Sequence, residues 1–93
     1  MKKDLFNNKK FKFLMNCENG NTVLLVYLML KTLSDKNEVH IDSDFTLQTE
    51  VALMCNINFK TSSYSLSLLK SLGLIEIEQW DIGGSVIKIK EVQ

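Results

Sequence analysis

The fold is decided by residues 47–78, LQTEVALMCNINFKTSSYSLSLLKSLGLIEIE. Apolar residues recur at helical spacing on both sides of a short turn, residues 56–58. We predict one helix over residues 46–55 and a second over residues 60–72, with Gly73 ending the second helix at the position that favours glycine. Because a turn this short sets two helices at a steep angle, the stretch is predicted to be a helix-turn-helix.

Two stretches after the helix pair alternate between apolar and polar residues. Residues 74–78 read LIEIE and residues 85–90 read SVIKIK, with Gly83 and Gly84 between them. The alternation predicts two strands with one buried side each, and the glycines permit the tight backbone of a hairpin. Residues 39–41 alternate in the same way and predict a third, short strand before the helix pair.

A short helix is predicted near the N-terminus, over residues 9–16. Asn7 or Asn8 can cap its first turn. The spacing i, i+3, i+4 defines one buried face, which consists of Phe11, Leu14 and Met15.

The next predicted helix begins at a cap, Asn21 or Thr22, and extends to about Leu33. Its residues 23–30 are apolar on every side. Such a helix is either surrounded by other elements or has a second face that is used for self-association. Because one small core needs less apolar surface than this helix offers, we expect a homodimer.

The predicted order of elements is helix, helix, strand, helix, helix, strand, strand. The last five are the order of a winged helix, in which a small antiparallel sheet closes a helix-turn-helix and the hairpin loop forms the wing. We therefore predict a mainly α, α+β winged helix. With 93 residues, residues 1–93 are expected to form a single domain.

The charge composition argues against strong non-specific DNA binding. Eleven lysines oppose 11 acidic residues, the formal net charge is zero, and arginine is absent. DNA-binding domains usually carry a positive excess, and arginine is the commonest bidentate reader of guanine. Neutrality still allows a local basic face. The richness in lysine, asparagine and isoleucine is typical of an AT-rich source genome, which makes AT-rich DNA the first duplex to test.

The solvent face of the second helix in the helix-turn-helix is the first candidate for DNA binding. Leu66, Leu69 and Leu72 are predicted to point inward. The opposite face then carries hydroxyls, two cations and one aromatic ring that can contact phosphates and pyrimidine methyl groups: Lys60, Ser63, Tyr64, Ser67, Lys70 and Ser71. The alternative is a serine-rich face that is simply solvated.

The hairpin is the second candidate for DNA binding. Trp80 lies in its loop, and Lys88 and Lys90 share one face of the last strand. Trp80 is either an exposed anchor for DNA or a partner, or a lid over the end of the core. The two lysines form either a small basic stripe or an ordinary solvated strand face.

The N-terminal segment contains the strongest local charge. Five of the 11 lysines lie in its first twelve residues: Lys2, Lys3, Lys9, Lys10 and Lys12. Such a basic patch can contact a DNA backbone or an acidic partner. A solubilising helix face is the alternative.

Catalysis and cofactor binding are not expected. His40 is the only histidine, Cys17 and Cys55 have no CxxC partner, and no nucleophile–base pair or phosphate-binding glycine loop is present. We therefore expect no enzyme activity, metal, cofactor or small-molecule substrate. The longest apolar run, residues 23–30, is much shorter than the roughly 20 residues of a bilayer span, so we expect a cytoplasmic protein without membrane contact.

Residues 3–78 resemble the N-terminal domain of phage replisome organiser proteins. Three parts carry the resemblance: residues 4–10, DLFNNKK; residues 19–22, NGNT, leading into residues 27–30, YLML; and Leu66, Leu69 and Leu72 followed by residues 73–76, GLIE. This family is related to DnaD-like primosome components and to some plasmid replication initiators. The resemblance implies a winged helix that binds origin DNA or self-associates before the helicase is loaded.

We therefore expect a DNA-binding or self-associating protein of a phage or plasmid replication system. Two alternatives remain open. One is a small protein-interaction module that binds and inhibits a host protein, such as a defence nuclease. The other is a transcriptional repressor.

Overall fold

A computed structural model describes residues 9–41, 46–79 and 84–90 of the chain, apart from the side chain of Phe11. These residues form helices and strands in the predicted order: α1 (Lys9–Met15), α2 (Gly20–Leu33), β1 (Glu38–Ile41), α3 (Leu47–Cys55), α4 (Phe59–Ser71), β2 (Ile75–Gln79) and β3 (Ser85–Ile89). The predicted caps Asn7 and Asn8 and the candidate side chains of Lys2, Lys3 and Trp80 lie outside the described residues.

Of the buried face predicted for α1, the side chain of Phe11 lies outside the described residues. Leu14 is fully buried, as predicted, but Met15 is 46% exposed, so the prediction that Met15 belongs to the buried face is wrong. The reason is that the chain turns immediately after the helix. The amide of Asn16 donates to the carbonyl of Phe13, and the amide of Cys17 donates to the carbonyl of Leu14, which leaves Met15 on the outer side of the turn.

The helix α2 begins earlier than its predicted caps. Asn19 precedes it in the left-handed region, at φ 59°, and makes no side-chain capping bond. The amide of Gly20 donates to the carbonyl of Cys17, and the helical bonding begins with the amide of Val23 on the carbonyl of Asn19. The prediction of Asn21 or Thr22 as the cap is therefore wrong, because the turn closes through backbone groups instead of a capping side chain.

The helix pair α3 and α4 is joined as the sequence predicts. Thr46 accepts a bond from the amide of Thr49 at the start of α3, and Asn58 accepts one of 2.7 Å from the amide of Thr61 at the start of α4. Since Asn58 is the cap, α4 begins at Phe59, one residue before the predicted start. The three-residue turn between the helices passes through Asn56, which is left-handed at φ 56°.

Gly73 ends α4 with the expected geometry. Its φ is +74°. The amide of Gly73 donates to the carbonyl of Lys70, and the amide of Leu74 donates to the carbonyl of Leu69, both at 3.0 Å. This pair of bonds is the Schellman arrangement, which favours glycine because its left-handed residue has no Cβ atom to clash. It directs the chain from α4 straight into β2.

The three strands form an antiparallel sheet in the order β1-β3-β2. Val39 and Ile77 lie opposite Ile87, and Ile75 lies opposite Ile89, so one face of the sheet is apolar and closes the core. The hydroxyl of Tyr27 in α2 donates to the carbonyl of Lys90 at 3.2 Å, which ties the end of the sheet to the helices. The architecture is the predicted mainly α, α+β winged helix.

Within the described ranges, no helix combines the length and the apolar character needed to cross a membrane.

Candidate nucleic-acid interface

The helix α4 separates an inner face from a polar outer face. Leu66 and Leu69 are buried and Leu72 is half-buried, so these leucines point inward as predicted. Sequence reasoning missed two further inward residues, Ser62 and Ser65, which are both fully buried. Small side chains there allow α4 to lie close to its neighbours. Their positions could have been found from the spacing, since residues 62, 65, 66 and 69 form one helical stripe.

The outer face of α4 contains the residues predicted for DNA contact. Ser63 is half-buried. The other five are exposed: Lys60, Tyr64, Ser67, Lys70 and Ser71. Residues 59–71 include no aspartate or glutamate. Among the residues that the structure describes, neither Lys60 nor Lys70 forms an ion pair. The face therefore carries a positive charge near each end and no negative charge of its own.

Tyr64 differs from the other members of this face because its hydroxyl is already engaged. It donates to the backbone carbonyl of Glu18, between α1 and α2, at 2.9 Å. The ring is 39% exposed. Tyr64 thus ties α4 to the preceding helices, and its hydroxyl can offer an outside ligand only its acceptor lone pairs.

The corner of the helix-turn-helix exposes two large apolar residues that sequence reasoning did not single out. Leu53, near the end of α3, is 67% exposed, and Phe59, at the start of α4, is 55% exposed. The exposure of Phe59 could have been predicted from a cap at Asn58, because this cap places Phe59 in the first turn, beyond the packed middle of the helix.

The N-terminal basic patch is divided by the fold. Lys9 and Lys12 are exposed, whereas Lys10 is half-buried. The ammonium of Lys10 lies beside Gly73, at 3.5 Å from the position that a Cβ atom on that glycine would occupy. Lys10 therefore reaches the C-terminal end of α4, where the helix dipole favours a cation. Lys2 and Lys3 lie outside the described residues.

The hairpin lysines are paired with glutamates. The ammonium of Lys90 lies 3.2 Å from a carboxylate oxygen of Glu76, and that of Lys88 lies 3.9 Å from one of Glu78. All four side chains remain partly exposed. Lys88 and Lys90 thus share a side of the hairpin as predicted, but the stripe that they form is not simply basic.

An open groove of about 420 Å³ lies between the end of α4 and this hairpin. Its polar lining consists of Lys70, Gly73, Glu76, Glu78, Lys88 and Lys90. Ile75 and Ile77 contribute apolar lining. The groove therefore connects the positive face of α4 with the mixed charges of the hairpin.

The described residues offer no group of three or more histidine, cysteine, aspartate or glutamate side chains that is suited to a metal ion. Cys17 and Cys55 are both free thiols and half-buried. Burial raises the pKa of the Cys55 thiol, because desolvation disfavours the thiolate.

A comparison with protein families places this surface in a biological context. The family model described as the N-terminal phage replisome organiser matches residues 1–93. The chain belongs to this family. The resemblance predicted from residues 4–10, 19–22 and 73–76 is thereby confirmed, and the replisome organiser domain is connected with phage DNA replication. A comparison with curated proteins gives no match.

Proposed function

We propose that this replisome organiser domain acts by binding duplex DNA, and not by catalysis, through the outer face of α4. The observation that carries the proposal is the charge of that face: Lys60 and Lys70 have no acidic partner among the described residues, and residues 59–71 contain no acid. In a helix-turn-helix, the second helix is the one that enters the major groove.

The two lysines are far enough apart to contact different phosphates. Ten residues of α-helix correspond to about 15 Å along the axis. Ser67 lies between the lysines on the same side of α4 and supplies a short donor for a phosphate or a base edge. Because arginine is absent, we expect phosphate contacts to dominate and base readout to be weak.

Fluorescence anisotropy of a labelled AT-rich duplex, at low and at physiological salt, tests the proposal. We expect binding that weakens with salt, and a K60Q/K70Q variant whose salt slope is shallower by about 0.9 for each phosphate that the protein no longer neutralises. K31Q/K36Q is the matched control, because it removes the same charge from exposed lysines outside α4. Absence of binding at low salt, or equal weakening in both variants, contradicts the proposal.

We further propose that the domain self-associates through α2. The observation that favours this second function is a set of exposed leucines on that helix: Leu25 and Leu33 are each 51% exposed, and Leu28 is 37% exposed. Leu25 and Leu28 are neighbours on one side of the helix, since they are three residues apart, and an exposed apolar patch of this kind marks a site of protein–protein contact.

Sedimentation analysis of the wild-type protein and of L25Q/L28Q tests self-association. We expect a dimer for the wild type and a monomer for the variant. L53Q is the control, because Leu53 is even more exposed but lies on α3. A wild-type monomer at high micromolar concentration excludes this homodimer, and the same leucines would then be tested against a host protein.

A transcriptional repressor would be distinguished from a replication protein by repression of a reporter promoter.

A further inference from the structure

The outer side of the hairpin is neutralised by its own residues. Lys90 pairs with Glu76 at 3.2 Å and Lys88 with Glu78 at 3.9 Å. In the strand register, Lys88 also lies directly opposite Glu38 in β1 and Glu76 in β2. The central lysine of the sheet therefore has glutamates on both neighbouring strands, although the carboxylate of Glu38 contacts His40 at 3.2 Å and not Lys88.

The position of these carboxylates matters because the groove runs from them to α4. Lys70 lines the groove at the helix end, and Glu76 and Glu78 line it at the hairpin end. A phosphate backbone that extends from α4 toward the hairpin meets these carboxylates beside the hairpin lysines. A phosphate that binds Lys88 or Lys90 therefore competes with the glutamate paired with that lysine, and it also meets the repulsion of the carboxylate.

We propose that Glu76 and Glu78 are specificity-determining residues, which restrict phosphate contacts to α4 by holding Lys88 and Lys90. This inference rests on the proposed DNA binding. Exposed ion pairs of this kind change an equilibrium by at most about fivefold, so the glutamates weaken phosphate contacts without preventing them. Phosphate contacts carry no sequence information, so the loss of hairpin contacts lowers the affinity for all duplexes. Any base contacts of α4 then supply a larger share of the binding free energy.

The isosteric variants E76Q and E78Q, alone and together, test this inference with a labelled random-sequence duplex. We expect affinity to rise by about two- to fivefold for each glutamate replaced. The slope of log affinity against log salt should steepen by about 0.9 for each lysine that binds an additional phosphate. D35N is the matched control, because it also removes one exposed negative charge but lies outside the groove. An increase in affinity no larger than that of D35N overturns the inference.

A double-mutant cycle shows whether the increase in affinity depends on the lysines. K88Q/K90Q is introduced into the wild type and into E76Q/E78Q. We expect the increase to disappear in the quadruple variant, and K88Q/K90Q alone to weaken binding less than K60Q/K70Q. An increase that survives in the quadruple variant overturns the inference, as does a K88Q/K90Q variant that binds as weakly as K60Q/K70Q.

Different outcomes refute DNA binding by the domain and the role of its two glutamates. If the wild type binds DNA and the glutamate variants bind no better than D35N, only the role of Glu76 and Glu78 is refuted. If neither the wild type nor E76Q/E78Q binds at low salt, DNA binding itself is refuted together with the inference. Thermal melting followed by circular dichroism confirms for each variant that the fold is retained.

Discussion

Gly20, the first residue of α2, lies against the backbone at the end of α1. A Cβ atom on Gly20 would overlap the carbonyl oxygen of Leu14, and it would lie 3.0 Å from the carbonyl carbon of Leu14 and 3.3 Å from the Cα atom of Met15. All three obstacles are backbone atoms, so no side-chain rotation can relieve the overlap. A Gly20→Ala substitution must therefore move α1 away from α2.

The size of the effect follows from two opposed contributions. Adding a methyl group to a well-packed contact costs typically about 1–3 kcal/mol, and an obstacle made of backbone places Gly20→Ala toward the upper end. Alanine in a helix recovers at most about 1 kcal/mol relative to glycine. We expect the free energy of unfolding to fall by about 1–2 kcal/mol, with a Tm lower by roughly 5–15 °C for a domain of this size.

Urea unfolding followed by far-UV circular dichroism measures this change. Asn21→Ala is the control, because Asn21 is exposed in the same helical turn and its replacement should change stability by no more than about 0.5 kcal/mol. If Gly20→Ala unfolds at the same urea concentration as the wild type or at a higher one, α1 does not pack on α2 as described.

Four further predictions concern buried groups and the end of α4. The hydroxyl of Ser65 is buried without a partner among the described residues, so Ser65→Ala should raise the free energy of unfolding by up to about 1 kcal/mol in urea titrations. Ser62→Ala should lower it by about 1–3 kcal/mol, since the Ser62 hydroxyl donates to a carbonyl of α3 at 2.7 Å; equal effects of the two variants would contradict this contrast. Gly73→Ala should lower the free energy of unfolding by about 1–2 kcal/mol, because φ is +74° at this position. An unchanged free energy of unfolding would exclude a left-handed backbone at Gly73. Burial raises the pKa of Cys55 above its ordinary value of 9.0, so alkylation of Cys55 at pH 8, followed by peptide mass spectrometry, should be slower in the native protein than in urea. The raised pKa of Cys55 contributes stability that is fully present below pH 9.0 and is lost as the pH rises above it, because the unfolded chain then releases the proton first. Equal alkylation rates in the native protein and in urea would refute the raised pKa.

Local chemistry explains why the helix pair and the hairpin could be predicted. The positions of α3 and α4 follow from apolar spacing, from the cap at Asn58 and from the glycine at position 73, all of which act within a few residues. The start of α2 could not be predicted in the same way. Asn19 closes that turn through its left-handed backbone, and the sequence pattern favours capping by a side chain at Asn21 or Thr22 instead.

The candidate site was predictable only in part, because its charges depend on contacts between distant residues. The outer face of α4 follows from helical spacing alone. The pairing of Lys88 with Glu78 and of Lys90 with Glu76 depends instead on the antiparallel register of β2 and β3. Likewise, the bond from Tyr64 to the carbonyl of Glu18 joins residues 46 positions apart. Alternation within a strand fixes the face of a residue but not its neighbours across the sheet.

The same contacts change what the net charge of zero implies for DNA binding. Neutrality argues against a DNA-binding domain only if the charges are evenly mixed, and here they are separated by element. α4 presents two lysines with no acid on the helix, whereas the hairpin sets its lysines against glutamates. Salt dependence reports the phosphates that a surface contacts and not the charge of the whole protein. A neutral chain with this distribution should therefore show the salt slope of its α4 face. We expect the replacement of one carboxylate beside that face to change the slope more than the same change in charge elsewhere on the protein.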